Sequence, residues 1–139
     1  MININEVSFI DWYATIKKEV IDISAFLEIE NEANAEMLDG TLEVARVWLA
    51  RTVEMLATAE GYYLKARGEV LKQLTFDKEM VKLGAMLLKT MAENECVSQK
   101  MVFTQIGRLN ACLTHSIDVW RSRLSYHKAE KHYTTNPGG

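Results

Sequence analysis

Polar side chains suited to chemistry recur near the C-terminal end of the chain. They are Asn110, Thr114, Asp118, Arg121, Ser125 and Lys128, with His115 beside the second of them. Their spacings of three and four residues place side chains on one face of an α-helix. Asp118 and Arg121, three apart, are also placed to form an ion pair. Such a line is either a solvated flank of a helix or a surface that binds a partner, and we interpret it as partner-binding.

Metal chemistry is the first alternative for this region. Cys112, His115 and Asp118 follow one another at intervals of three, so they could present ligands one helical turn apart. A di-iron bundle would need two Glu-x-x-His pairs, and this chain has none. Zinc would need four ligands, usually with paired cysteines. Glycine-rich phosphate loops and the Gly-x-Ser-x-Gly elbow are also absent from the sequence. We therefore predict no metal, no cofactor and no enzymatic activity.

Apolar residues predict the helix that carries the polar line, over residues 98–132. Its apolar stripe consists of Val102, Ile106, Leu109, Leu113, Ile117, Trp120 and Leu124. A second apolar line lies roughly opposite, at Met101, Cys112, Val119 and Tyr126. A helix that is apolar on two sides is packed on two sides, by its own chain or by a partner.

A heptad pattern predicts a long helix over residues 41–74, roughly 50 Å in length. Large and small residues each recur every seven positions, and they form a helix-packing or oligomer seam at Leu42, Ala45, Leu49, Leu56, Ala59, Tyr63, Ala66 and Val70. The small residues allow a neighbouring helix to approach closely. Asp39-Gly40-Thr41 predicts the break before this helix, with Thr41 as its N-cap.

Two further helices are predicted from apolar spacing. The first covers about 8–37 and is capped by Ser8. The other covers about 76–94 and is marked by Met80, Leu83, Leu87 and Met91. Neither Gly nor Pro separates 76–94 from 98–132, so these two could be one kinked rod. The prediction is an all-α, elongated bundle of three or four long helices with coiled-coil-like packing. Residues 1–132 form a single domain, and 133–139 form a disordered tail.

The stretch from Arg108 to Lys131 resembles the C-terminal region of small helical proteins encoded in the early regions of tailed phages and prophages. Those proteins show Arg-Leu-Asn, Thr-His, Asp, Arg and Ser-x-x-Lys at this spacing. Here the matching positions are Arg108-Leu109-Asn110, Thr114-His115, Asp118, Arg121, Ser125 and Lys128, and Gly61 to Val70 is similar as well. The resemblance covers about a third of the chain and implies no catalytic activity. It implies a phage or prophage origin and a bacterial host cytoplasm.

Charge is unevenly spread along a chain whose net charge is −3. Residues 1–43 carry ten acids and two bases (−8), and residues 97–139 carry six bases and two acids (+4). Either an acidic and a basic helix pack together, or the basic end meets nucleic acid or an acidic partner.

The predicted function is a non-enzymatic interaction protein that binds or inhibits a host or phage protein through its C-terminal helix. The alternative is a nucleic-acid-binding accessory protein in phage recombination or replication, which would use Arg108, Arg121, Arg123, Lys128 and Lys131. Two apolar faces on long helices favour a homo-oligomer, with a dimer as the simplest form. No apolar run approaches the ~20 residues that span a bilayer, so we predict no membrane partner.

Overall fold

The structure is a computed structural model that describes residues 2–28 and 35–135, and the side chains of all of these except 35 and 132–135. These residues form five helices: α1 Phe9–Glu28, α2 Ala35–Phe76, α3 Lys78–Val81, α4 Ala85–Glu95 and α5 Val97–Thr135. Within the same ranges there is no strand, and the long helices pack against one another. The predicted all-α helical bundle is confirmed. The elongated shape and the coiled-coil packing stay predictions.

Contacts between Cα atoms divide the chain into two compact units. Unit 1 comprises Met1–Lys17 and Glu54–Gly107, and unit 2 comprises Lys18–Val53 and Arg108–Gly139. Helices α1, α2 and α5 contribute residues to both units. The single domain over 1–132 stays a prediction.

An aromatic cluster anchors the N-terminal segment in unit 1. The Ser8 side chain caps α1, as predicted, by accepting a hydrogen bond from the Asp11 amide (3.2 Å). Trp12 and Tyr62 are buried, with ring centroids 5.3 Å apart. The Tyr62 hydroxyl donates a 2.6 Å hydrogen bond to the Val7 carbonyl. The start of the chain is thereby fixed against α2.

The core of unit 2 joins α2 to α5. It consists of Leu38, Leu42, Ala45, Ile117, Trp120 and Leu124, with Phe26 and Leu49 packed against it. Phe26 meets Trp120 edge-on, with ring centroids 5.7 Å apart, so α1 also contributes to this core.

The heptad seam lies on the packed side of α2. Leu42, Ala45, Ala59 and Tyr63 are buried. The other four seam residues, Leu49, Leu56, Ala66 and Val70, are half-buried. The seam therefore packs helices within the chain, and a role for it in an oligomer stays a prediction.

The predicted helix break at Asp39-Gly40-Thr41 is wrong. Helix α2 begins at Ala35 and continues through Gly40 and Thr41. The acidic side chain of Glu36 lies in the first turn of this helix, where the positive end of the helix dipole favours it. A glycine costs only about 1 kcal/mol inside a helix. Residues 29–34, through which the first helix was predicted to run, lie outside the described residues, and α1 as described ends at Glu28.

Gly40 supplies a direct test of this boundary. A Cβ added at Gly40 meets no atom within 4 Å, and the residue is helical. We therefore expect Gly40→Ala to raise the free energy of unfolding by about 0.5–1 kcal/mol, measured by urea denaturation. Gly84→Ala is the contrasting variant, because Gly84 has φ +86° and should lose about 1–3 kcal/mol. If Gly40→Ala lowered the free energy of unfolding, the result would support the predicted helix break at this position.

The predicted helix over 76–94 is also wrong in its continuity. The positive φ of Gly84 separates α3 from α4, and Asp77 caps α3 by accepting a hydrogen bond from the Glu79 amide (2.9 Å). Leu88 and Ala92 are the buried residues of α4, one position after the predicted Leu87 and Met91. The break therefore changes the phase of the apolar stripe.

Helices α4 and α5 are separate, and a single residue, Cys96, lies between them. Glu93 of α4 contacts both Arg67 and Lys100, each at 3.8 Å, and so ties α4 to α2 and α5. Helix α5 ends at Thr135, so residues 133–135 of the predicted disordered tail are helical. Residues 136–139 lie outside the described part of the chain.

One two-point ion pair joins α1 to α2 in unit 2. Arg51 donates to both carboxylate oxygens of Glu19, at 2.7 and 3.0 Å. These hydrogen bonds, more than the charge of Arg51, hold the pKa of Glu19 below its usual value of 4.5, although burial opposes the shift. Because the folded pKa is lowered, the pair stabilises the fold above the unfolded pKa and loses that effect as pH falls below it.

The expected result is a wild-type advantage over Glu19→Gln that is present at neutral pH and shrinks as pH falls below 4.5. Its size is about 0.5–1 kcal/mol, since both side chains are about one-third exposed (33% and 31%). Urea denaturation at a series of pH values measures it. An advantage that is independent of pH would show that charge is not involved.

Candidate partner-binding surface

The C-terminal half of α5 is fixed by a buried apolar stripe. Six of the seven predicted stripe residues have less than a tenth of their surface exposed: Val102, Ile106, Leu113, Ile117, Trp120 and Leu124. Leu109 is half-buried. Because this stripe sets the rotation of the helix, it also determines which side chains face outward.

Most of the predicted partner-binding residues are exposed. Thr114, His115, Asp118, Arg121, Ser125 and Lys128 all lie on the solvent side of α5. Asn110 differs because it is half-buried. The structure therefore brings six of the seven to the surface of one helix and sets the seventh apart.

Asn110 makes a hydrogen bond inside the chain. Its side-chain amide donates to the hydroxyl of Thr52 on α2 at 3.1 Å. Thr52 is fully buried, and its hydroxyl donates in turn to the Leu49 carbonyl at 2.9 Å. Asn110 thus helps hold α5 against α2 in unit 2.

The Asn110–Thr52 bond predicts a measurable coupling. Thr52→Val should cost about 1–2 kcal/mol of unfolding free energy, because it leaves the Asn110 amide without its acceptor. A double-mutant cycle with Asn110→Ala should give a coupling of about 1 kcal/mol. Thr58→Val is the matched control, since Thr58 is also buried and its hydroxyl donates to the Glu54 carbonyl of its own helix. Additive effects of the two changes would mean that the bond contributes nothing.

The two charged side chains at the centre of this surface, Asp118 and Arg121, do not pair with each other. Among the described residues, no ion pair links Asp118 to Arg121, although their spacing permits one. Thr114 and Ser122 bond back to the carbonyls of Asn110 and Asp118 on the same helix. The charged groups of Asp118 and Arg121 are thus available to an external partner.

A groove lies beside His115. It has a volume of about 410 Å³ and is lined by Leu27, Ala111, Cys112, His115 and Ser116. The groove can accept an apolar side chain next to the polar surface.

Within the part of the chain that the structure describes, no group of three His, Cys, Asp or Glu side chains could hold a metal ion.

Three of the four residues in the second apolar line of α5 are exposed in the described part of the chain. Met101 and Tyr126 are 65% and 68% exposed, and Cys112 is exposed. Val119 is half-buried. The predicted packing on two sides therefore has only one side inside the described structure.

Sequence spacing missed one contact that supports this surface and one separate group of exposed apolar side chains. Thr52 falls seven residues after Ala45 in the heptad pattern, and no local signal links it to Asn110, which is 58 positions away. Leu83 and Leu87, which are predicted to mark the apolar face of one helix, are exposed near α3, and the high lysine content there is a signal of a solvent-facing surface.

Within the described ranges, no helix has the length and apolar content needed to cross a bilayer.

Comparison of the chain with protein-family models, with curated proteins and with solved structures gave no match.

Proposed function

We propose that this protein is a non-enzymatic interaction protein that binds, or inhibits, a host or phage protein through the exposed side of α5. One observation carries the proposal. A line of polar side chains, with an acid and a base that do not pair with each other, lies on a helix whose opposite side is held by a buried core. A rigid helix face loses little conformational freedom on binding, which favours its use for recognition.

The origin and location belong to the same proposal. The resemblance of Arg108 to Lys131 to small phage early-region proteins supports a phage or prophage origin, and hence work in the cytoplasm of a bacterial host. The partner is then a protein of that host or of the phage, and it meets the surface formed by Thr114, His115, Asp118, Arg121, Ser125 and Lys128.

The arrangement of the bases favours a protein over a nucleic acid. Arg121 and Lys128 are seven residues apart and share one side of the helix. Arg123 comes two residues after Arg121 and so projects about 200° away around the axis. Asp118 lies three residues before Arg121, on the same side of the helix, and its carboxylate would repel phosphate. Nucleic-acid binding usually clusters its bases on one face.

The test is an affinity capture from host lysate with wild type and with Asp118→Ala/Arg121→Ala. We expect wild type to retain one protein after nuclease treatment, and the double variant to lose at least roughly 90% of it, as for residues central to an interface. Lys18→Ala/Asp22→Ala is the matched control, because it removes one exposed base and one exposed acid from α1.

Two outcomes would contradict the proposal. Equal capture by wild type and the α5 variant would remove this surface from the interaction. Capture that disappears with nuclease, and binding to DNA that weakens steeply with salt, would replace the proposal with the nucleic-acid function.

A further inference from the structure

A second surface, in unit 1, combines exposed apolar side chains with basic ones. It runs from the last turn of α2 through α3 to the start of α4, residues 72–89, and is called the basic corner here. Its exposed apolar residues are Phe76, Val81, Leu83, Met86 and Leu87. Phe76 and Met86 are 78% and 86% exposed, so they project from the surface. Large apolar side chains grouped in this way mark an interaction site.

The charge of the basic corner is not balanced internally. It contains Lys72, Lys78, Lys82 and Lys89 against Asp77 and Glu79, so its net charge is +2. Both acids are engaged, since Asp77 caps α3 and Glu79 lies 3.4 Å from Lys82.

Three of the lysines in the basic corner therefore lack an acid. Lys72, Lys78 and Lys89 have no ion-pair partner among the described residues. Lys72 precedes Phe76 by four positions, and Lys89 follows Met86 by three, so each lysine shares a helix side with an exposed apolar residue.

A third surface, on α2 in unit 2, has the opposite sign. Its exposed carboxylates are Glu36, Asp39 and Glu43, and its exposed apolar side chains are Val44 (45%) and Val47 (69%). These residues follow one another at helical spacings and are called the acidic face of α2 here. With Arg46 included, residues 36–47 have a net charge of −2. The three carboxylates have no ion-pair partner within the described ranges.

We propose that the basic corner of one copy binds the acidic face of α2 of a second copy. Each surface offers apolar side chains beside unpaired charge, and the two net charges are opposite and equal in size. Pairing either surface with itself would bring like charges together, which opposes a symmetric contact. The contact therefore joins two different surfaces, and each copy carries both of them. This inference goes beyond the proposed function and uses none of the α5 surface.

Sedimentation equilibrium of the full chain tests the contact with a pair of charge-reversal variants. The first, Lys72→Glu/Lys78→Glu/Lys89→Glu, makes the basic corner acidic. The second, Glu36→Lys/Asp39→Lys/Glu43→Lys, makes the acidic face basic. We expect wild type to self-associate more weakly as salt rises. Each variant alone should self-associate at least roughly tenfold more weakly than wild type.

Mixing the two variants is the decisive step. In the mixture, the unaltered acidic face of the first variant meets the unaltered basic corner of the second, so a complex should form that neither variant forms alone. Lys17→Glu/Lys18→Glu is the charge control, because both lysines are exposed on α1 and lie outside the two surfaces. Circular dichroism of each variant checks that the helices remain.

Apolar variants provide an independent arm that keeps the charges. Phe76→Ser/Met86→Ser should also weaken self-association roughly tenfold, whereas Ile10→Ser should not, although Ile10 is 76% exposed. A monomeric wild type at every concentration would overturn the proposal, and so would charge variants that associate as wild type does. Binding of a monomeric wild type to vesicles of anionic lipid would also overturn it and assign the basic corner to a membrane surface.

Discussion

Trp120→Ala should lower the free energy of unfolding by about 3–5 kcal/mol, the usual cost of removing a large aromatic side chain from a core. Trp120 is 6% exposed and packs with Ile117 and Leu124 of α5 and with Leu42 of α2. Its edge-on contact with Phe26 would be lost as well. Since small domains have only about 5–15 kcal/mol of stability, the variant would be close to unfolding. Urea denaturation followed by far-UV circular dichroism measures the change.

Two controls separate burial from chemistry at this position. Tyr126→Ala removes an aromatic side chain from the same helix, but Tyr126 is 68% exposed, so the change should stay within about 0.5 kcal/mol. Trp120→Phe keeps a ring in the core and should recover more than half of the loss. If Trp120→Ala were as mild as Tyr126→Ala, Trp120 would not belong to the core of unit 2.

Tyr62→Ala should have an effect of similar size in unit 1, about 3–5 kcal/mol. Tyr62 is 4% exposed and contacts the rings of Phe9 and Trp12, with centroid distances of 5.8 and 5.3 Å. Tyr62→Phe keeps the ring and removes only the 2.6 Å hydrogen bond to Val7, so it should cost about 1 kcal/mol. The difference between the two variants measures the packing of the ring.

The pH dependence identifies the hydroxyl independently. Burial, and then the nearby charge of Asp11, raise the pKa of Tyr62 above its usual value of 10.0. Because the folded pKa is raised, the unfolded chain ionises first, and stability falls as pH rises above 10.0. This fall should be smaller in Tyr62→Phe than in wild type, and Tyr126→Phe should leave it unchanged. An identical alkaline fall in all three proteins would mean that the Tyr62 hydroxyl is not held in the fold.

Local spacing was sufficient to predict the packed sides of the long helices. Ala45, Ala59 and Tyr63 are buried as the heptad pattern indicated, because helical periodicity determines which residues share a side. The same is true of Leu113 and Ile117 on α5. The exposed position of the α5 polar line follows from the same periodicity.

Boundaries and distant contacts could not be predicted in this way. Gly40 resembles a stop signal, but the burial of Leu38 and Leu42 on either side of it outweighs the small helical cost of one glycine. Gly84 does interrupt the predicted helix, and its positive φ is visible only in the folded backbone. Asn110 was grouped with its neighbours on α5, whereas its hydrogen bond depends on the distant Thr52. Tertiary contacts decide each of these cases.

The two cysteines differ in exposure, so the labelling of each thiol reports on a different property of the protein. Cys96 is buried between α4 and α5, and burial, together with the charge of Glu95, raises the pKa of its thiol. Cys112 is exposed on α5 beside His115. Since the thiolate is the reactive form, a maleimide dye will attach to Cys112 in the native protein and so mark the surface proposed to bind a partner. Cys96 can be modified only when unit 1 opens locally, so the rate of its labelling measures how often that opening occurs.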